Sequence, residues 1–116
     1  MTSLKNKVQL IGYLGMDPEV RDLQDGKKVA RFSLATSENY RNGGGEKVTD
    51  TQWHNIIAWG NNAKFAEQYL KKGQEVAVEG RLSHRTYNDK DGMKRYFTEV
   101  VVSQIQMLRS NASRQN

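Results

Sequence analysis

The sequence has no cysteine, a single proline and hydrophobic residues at only 36% of its positions. Without cysteine there is no disulfide and no thiolate metal site, and a reducing compartment suits the chain. No apolar run approaches the length of a membrane-spanning helix, and the N-terminal residues lack the apolar core of a signal peptide. These absences predict a cytoplasmic protein with a small core and no membrane segment.

Residues that could form a catalytic or metal site are also scarce. The chain has two histidines, His54 and His84, and with no cysteine beside them they make no metal-ligand set. Glu79 and Glu99 are isolated strand carboxylates without an obvious partner, which gives little support to a general acid and base pair. The glycines at 43–45 lack the Gly-Lys-Ser/Thr ending of a phosphate-binding loop. We therefore predict no catalytic residue, no metal and no cofactor, and a protein that is not an enzyme.

The charge balance favours an anionic partner. The net charge is +5 over 116 residues, which suits nucleic acid or an acidic membrane surface. A chain of this length forms one domain. Much of the excess lies in residues 81–95, where the cations are Arg81, Arg85, Lys90, Lys94 and Arg95 and the anions are Asp89 and Asp91.

Apolar residues recur mainly at every second position, which is the spacing of strands. Strands are predicted at about residues 8–14, 30–34, 53–59, 76–87 and 94–108. Residues 61–72 have helical spacing instead, with Asn61 or Asn62 as the N-cap and Gly73 as the C-cap. A flexible glycine-rich loop is predicted at 40–48 and a hairpin tip at 88–92. Three strands, a helix and two strands are typical of an all-β, five-stranded Greek-key barrel of the OB type, which binds oligonucleotides between two such loops.

Four aromatic residues stand among basic and small polar residues: Tyr40, Trp53, Trp59 and Tyr87. Any one ring alone is more simply interpreted as part of the core, because large aromatic side chains are mostly buried. The whole set, interleaved with cations, favours a surface that holds single-stranded nucleic acid without reading its sequence, since rings stack on bases and cations neutralise phosphates. Trp53 and Trp59 share strand parity, so we expect both on one face.

The chain also carries short motifs that are specific in combination. They are Asn6-Lys7-Val8, Gly12-Tyr13-Leu14-Gly15-Met16-Asp17-Pro18-Glu19-Val20-Arg21, Leu34-Ala35-Thr36-Ser37-Glu38, Trp53-His54, Tyr69-Leu70-Lys71-Lys72-Gly73, Val78-Glu79-Gly80 and Thr98-Glu99-Val100. Together they resemble the bacterial single-stranded DNA-binding protein family over about residues 4–108. The resemblance implies OB folds assembled as a homotetramer around which single-stranded DNA wraps. It implies stacking at the same four rings, phosphate contacts at Lys72 and Arg85, and a place for His54 near the subunit interface.

The chain departs from the family at several of these positions. The family often has Trp where Tyr40 and Tyr87 stand, and a basic residue where Asn55 and Asn61 stand. A tyrosine offers less stacking area, and each lost cation weakens the attraction to phosphates, so the departures predict a lower affinity by the same mode of binding. Trp59, where the family commonly has Phe, partly compensates.

We predict sequence-independent binding and protection of single-stranded DNA in replication, recombination and repair; the alternative is an OB-fold primosomal accessory or protein-interaction module. The cations predicted to contact phosphates are Arg41, Lys72, Arg81, Arg85, Lys94 and Arg95. The first strand is a candidate edge strand, and the predicted subunit interface comprises Lys7, Val8, Leu10 and His54. The binding domain is expected at 1–108 and a disordered stub at 109–116. This stub carries no acidic side chain, so recruitment of enzymes through an acidic tail is not expected from this chain.

Overall fold

The computed structural model describes residues 4–109, without the side chain of Arg109. The elements are β1 (Val8–Leu14), β2 (Glu19–Asp22), β3 (Lys28–Arg41), β4 (Lys47–Trp59), α1 (Asn61–Tyr69), β5 (Glu75–Asn88) and β6 (Lys94–Arg109). The predicted disordered stub lies outside the described residues, except that the backbone of Arg109 ends β6.

The strands close into a barrel in the order β1-β5-β6-β4-β3, and β3 returns to β1. Antiparallel pairing joins β1 to β5, β5 to β6 and β3 to β4. Two short contacts complete the closure: β4 runs parallel to β6 over two residue pairs, and β1 meets β3 at Tyr13↔Ala35 and Leu14↔Leu34. The predicted five-stranded barrel with one helix between its third and fourth strands is therefore confirmed.

One further strand, β2, was missed by the sequence interpretation. It pairs antiparallel with β3 from Glu19↔Arg31 to Asp22↔Lys28 and widens the sheet beyond the barrel. The turn between them ends with Gly26 in the left-handed region, at φ 78°. An Asp-Gly pair between short alternating segments is a hairpin signal, and Asp25-Gly26 is the feature that could have revealed this strand. Lys28 ties β3 to α1 through Glu67 at 2.6 Å, and also pairs with Asp22 at 3.2 Å; Glu67 and Asp22 raise the pKa of Lys28 above its ordinary 10.5.

Strand alternation places the even-numbered side chains of β1, β3, β4 and β5 on the inner face of the barrel, whereas in β6 a register shift after Val102 turns Ile105 towards the core. Leu34, Ile56, Val76 and Val78 are the largest fully buried side chains. Two glycines let strands approach closely at the interior: a Cβ at Gly12 would collide with the carbonyl oxygen of Ala35, and one at Gly80 with that of Val101. The odd-numbered residues of β3, β4 and β5 therefore lie on the outer face of the barrel wall.

The helix is shorter than predicted and is capped differently. α1 ends at Tyr69 because Leu70 turns to an extended conformation (φ −95°, ψ 139°) and buries its side chain in the core. The lysines at 71 and 72 thus lie in the turn after the helix, and Gly73 takes its positive φ of 88° in that turn, away from any C-cap. The N-cap is Gly60, without a side-chain hydrogen bond, so the predicted Asn61 or Asn62 cap is wrong.

Two long hairpins extend beyond the barrel. The β3–β4 register runs without interruption from Val29↔Trp59 to Arg41↔Lys47, which reduces the predicted 40–48 loop to residues 42–46. The Asn42 side chain holds this loop by accepting from the amides of Gly44 (2.9 Å) and Glu46 (3.0 Å). At the tip of the β5–β6 hairpin, Asp89 accepts from the amides of Asp91 and Met93, each at 2.9 Å.

Candidate nucleic-acid interface

All four of the predicted stacking rings are exposed. The exposed fractions are 53% for Tyr40, 62% for Trp53, 43% for Trp59 and 55% for Tyr87. Each ring would bury a large area if it were part of the core, yet none of them belongs to the core cluster. The simpler interpretation of each single ring as core therefore does not hold for any member of the set.

The rings are distributed over both hairpins and the barrel wall. Trp53 and Trp59 both lie on the outer face of β4, about 20 Å apart at ~3.3 Å per residue. Tyr87 lies on the outer face of β5, directly across from Arg95. Tyr40 pairs with Val48 and has the parity of the inner face, so it leaves the β3–β4 hairpin on the opposite side from Trp53. A strand of nucleic acid touching all four rings would have to pass around this hairpin.

Trp53 is partly covered by Gly15, while most of the residue is exposed. Its six-membered ring lies over Gly15, where a Cβ would collide with Cζ3, sit 2.8 Å from Cη2 and sit 2.9 Å from the Ser33 hydroxyl. Gly15 thus provides a flat seat that no larger residue could provide. A ring seated in this way offers its outward face to a base without first having to be ordered.

A charged cluster lies between Trp53 and Tyr87 on the same outer surface. The Glu99 carboxylate accepts from Arg85 side-on, with Nε 3.0 Å from Oε1 and Nη2 3.4 Å from Oε2, and Arg31 Nη1 lies 3.6 Å from Oε2. Phe97 lies beneath the Arg85 guanidinium, 5.5 Å from ring centroid to Cζ. Neighbouring open clefts connect these groups: Trp53, Phe97 and Glu99 line one, and Arg31, Arg85, Tyr87 and Phe97 line another.

Arg31, Phe97 and Glu99 were missed as site residues, and Glu99 was interpreted as isolated. The structure gives both supposedly isolated glutamates a partner, since Glu79 pairs with Lys7 at 3.3 Å and Glu99 with two arginines. Arg31 follows the outer parity of β3 and, with Asn55, lines the cleft next to Phe97. Parity alone could have placed Arg31 on the face of Trp53, but its contact with Glu99 depends on a reach across β4 that no local pattern encodes.

The other predicted phosphate-contacting residues are spread along the surface. Arg95 is held by Asp89 at 2.8 Å, and this guanidinium, with the amides of Met93 and Asp91, keeps the pKa of the Asp89 carboxyl below its ordinary 3.8. Arg41 donates to the carbonyl oxygen of Gly45 at 2.9 Å. Lys94 lies over the Tyr96 ring at 5.9 Å. The last two are Arg81, on the outer face of β5, and Lys72, whose amide donates to Asp17 at 2.8 Å in the turn after α1.

The residues predicted for a subunit interface do not share one orientation. Val8 and Leu10 are half-buried and pack against the core, so that Gln9, Ile11 and Tyr13 are the β1 side chains on the outer face. Lys7 is engaged by Glu79. His54 lies on the inner face of β4, with Nε2 2.9 Å from the Thr36 hydroxyl.

Two other kinds of site are absent from the described part of the chain. Within residues 4–109, no three side chains of the His, Asp and Glu type come together in a way that could hold a metal ion. In the same residues, none of the helical structure is long and apolar enough to span a membrane.

Comparison with known proteins gives the family. The model of the single-strand binding protein family matches residues 5–108. The chain belongs to this family. It is 50% identical over 104 residues to single-stranded DNA-binding protein 1 of Chlorobaculum tepidum, covering 89% of this chain and 64% of that protein. It is 48% identical over 103 residues to the single-stranded DNA-binding protein of Neisseria meningitidis, covering 89% and 59%. The chain thus spans less than two thirds of the length of these relatives.

Solved structures of the single-strand binding family show the same barrel. The Plasmodium falciparum protein, solved in complex with single-stranded DNA, matches with a TM-score of 0.84 and 35% identity over 94% of this chain and 98% of that one. A deletion mutant of the Thermus aquaticus single-stranded DNA-binding protein matches with a TM-score of 0.79 and 30% identity, over 92% and 52%. These relatives are all described as binding proteins, which confirms the expectation of a protein that is not an enzyme.

The seat of Trp53 gives a first prediction. In Gly15→Ala the new methyl group displaces the Trp53 ring, and we expect the affinity for oligothymidine to fall about fivefold or more, since a stacked base contributes about 1–3 kcal/mol. Fluorescence anisotropy of a labelled oligothymidine measures this effect. Gly43→Ala is the matched control, because a Cβ there meets nothing within 4 Å. Equal affinities for the two variants would show that the seat is unimportant.

Proposed function

We propose that this protein binds and protects single-stranded DNA without regard to sequence, in replication, recombination and repair. The observation that carries the proposal is the continuous outer surface from Trp53 through the Phe97 and Arg85 cluster to Tyr87, in which open aromatic faces alternate with cations. Family membership supports it, as does the structural relative that holds single-stranded DNA. DNA of this kind is found where genomes are copied, so we place the protein in the cytoplasm.

The surface binds by two additive contributions. Each base that stacks on a ring contributes about 1–3 kcal/mol and is accepted whatever its identity, because every base has a π face. Phosphates are drawn by the surrounding cations, and their neutralisation releases counterions from the DNA. The chain has Asn55 at a position where the family often has a basic residue. Arg31 stands on the adjacent strand and lines the same cleft, so it supplies a cation close to Asn55.

We further propose that the functional unit is a homotetramer. Within the described residues, β1 pairs with β5 along Val8 to Tyr13 but meets β3 only at Tyr13 and Leu14. The other edge of β1 therefore has no partner strand from Val8 to Gly12 in the described chain. A second copy pairing with this edge would satisfy its backbone groups and cover Ile11.

The direct test is a competition between single and double strands. A labelled oligothymidine is titrated with the protein and followed by fluorescence anisotropy, and the complex is then challenged with unlabelled single-stranded DNA of mixed sequence or with its duplex. We expect mixed single strands to compete well and the duplex to compete poorly. Equal competition by the duplex would refute the proposal, because paired and stacked bases are not available to the rings.

The phosphate contacts are tested separately by salt dependence. We expect Arg85→Ala and Lys72→Ala each to flatten the slope of log affinity against log salt by about 0.7, the value for one lost phosphate contact on a single strand. Titrations of oligothymidine at several salt concentrations give the slopes, with Lys64→Ala on the exposed side of α1 as the charge-matched control. If both slopes equalled that of the control, neither residue would contact phosphates. If only Arg85→Ala changed the slope, Arg85 would contact a phosphate and Lys72, in the turn after α1, would not.

A further inference from the structure

Glu99 is the most deeply buried charged side chain on the proposed binding surface. Only 5% of the residue is exposed, while the side chains of its two partners, Arg31 and Arg85, are 44% and 50% exposed. A carboxylate this deep is tolerated when cations and hydrogen bonds compensate it, and here both compensating groups keep part of their surface in solvent. The pairing therefore leaves guanidinium N–H groups facing outward.

The three groups come from three strands and meet at the gap between β4 and β6. These strands pair only at Ile56↔Val100 and Ile57↔Val101, and Asn55 bridges the gap beyond, donating to the carbonyl oxygen of Thr98 at 3.3 Å. Arg31 reaches from β3 across β4 to Glu99, and Arg85 approaches from β5. The carboxylate thus links the two hairpins through their cations.

The Arg85 guanidinium is fixed from two sides. Glu99 holds it side-on through two donors, and the Phe97 ring lies beneath it. Side-on pairing occupies Nε and one Nη group and leaves the other donors of the planar fork free. A phosphate oxygen is the natural acceptor for such donors, since it offers the same paired oxygen geometry as a carboxylate.

We propose that Arg31, Arg85 and Glu99 form one phosphodiester-binding subsite, in which Glu99 holds both guanidiniums in place and reduces their joint charge to that of a single cation. The inference rests on the proposed binding of single-stranded DNA and adds a role for an acidic residue in it. Two arginines with a shared carboxylate neutralise one phosphate, where two unpaired arginines would neutralise two. Glu99 is in this sense a positioning residue that limits the salt sensitivity of binding.

The change Glu99→Gln separates charge from shape. Glutamine keeps the volume of the side chain and an oxygen that accepts from Arg85 Nε, but it removes the negative charge and puts an amide N–H group in place of Oε2, which faces Arg85 Nη2 and Arg31 Nη1. We expect the slope of log affinity against log salt to steepen by about 0.7. The affinity of the variant relative to the wild type should then rise about eightfold between 1 M and 0.05 M salt.

The change Arg31→Gln is expected to act in the opposite direction. The subsite then has no net charge, and the slope should flatten by about 0.7 relative to the wild type. The double variant Arg31→Gln with Glu99→Gln leaves one cation, as in the wild type, and should restore the wild-type slope. Such a rescue by two changes that each alter the slope is not expected if Glu99 only stabilises the fold.

The experiment is a salt series of oligothymidine titrations with the wild type, both single variants, the double variant and Glu67→Gln. Glu67 also pairs with a cation, Lys28, but lies on α1, so Glu67→Gln controls for net charge alone. Circular dichroism checks the fold. The expected order of slopes is steepest for Glu99→Gln, equal for the wild type and the double variant, and flattest for Arg31→Gln.

A Glu99→Gln slope no steeper than that of Glu67→Gln would overturn the inference. Weaker binding by Glu99→Gln than by the wild type at low salt would also overturn it, because the carboxylate would then only support binding. If Glu99→Gln does not fold, the Arg31→Gln variant alone tests the inference. A slope for Arg31→Gln equal to that of the wild type would then refute the phosphodiester-binding subsite. Failure of the wild type to prefer single strands would instead refute the proposed function, so the two failures are distinguishable.

Discussion

Saturating poly(dT) is expected to quench most of the tryptophan emission of this protein. The chain has two tryptophans, Trp53 and Trp59, and both are exposed on the outer face of β4. No buried tryptophan is present to contribute constant emission, so the whole signal reports on this surface. Stacking of bases on both rings should therefore remove most of it. The measurement is an emission titration in parallel with anisotropy of the labelled DNA.

Single replacements assign the signal to each ring. Trp53→Ala and Trp59→Ala should each weaken binding by about 1–3 kcal/mol, which is about fivefold to a hundredfold or more, and each should leave the other ring to be quenched. Tyr69→Ala is the control, since Tyr69 is an exposed ring on α1 whose ring contact is with Phe65, at 5.1 Å. Binding seen by anisotropy with unchanged emission would show that the rings do not stack on the DNA.

The barrel was predictable because its strands have clear alternation. Val76, Val78 and Gly80 are buried and alternate with half-buried residues, so that period two is visible in the first half of β5, and Arg81, Arg85 and Tyr87 continue the outward parity in its exposed second half. β2 was harder, because it has four residues with only Val20 half-buried. The end of α1 could not be read from local signals, since burial of Leu70 overrides the helical continuation that Lys71, Lys72 and Gly73 suggest.

Part of the candidate site was likewise predictable from the sequence, and part of it was not. The four rings could be found from the sequence because aromatic residues among cations are conspicuous whatever their exact place. The subsite at Glu99 could not, because Arg31 and Glu99 are separated by 68 positions and by the width of β4. Glu99 looked unpaired because the residues next to it in β6, from Tyr96 to Gln104, carry no charge, although tertiary structure supplied two guanidiniums.

The proposed tetramer gives the last prediction, in which a charge placed beside the free edge of β1 breaks the assembly. Ile11 is 56% exposed in the single chain and lies on the outer face beside Ala77 of β5. Pairing of this edge with a second copy would bury Ile11, and a buried unpaired ammonium is strongly unfavourable. We therefore expect Ile11→Lys to dissociate at concentrations where the wild type has the mass of four chains of 13.3 kDa each.

Sedimentation velocity at micromolar concentration measures the masses of both proteins, and circular dichroism checks that the variant keeps its fold. Leu23→Lys is the matched control. Leu23, like Ile11, is an exposed aliphatic side chain, but it lies in the turn after β2, away from β1. A wild type that sediments as a monomer would rule out the tetramer. A stable wild-type dimer would contradict the tetramer as well and would favour the alternative of an accessory module.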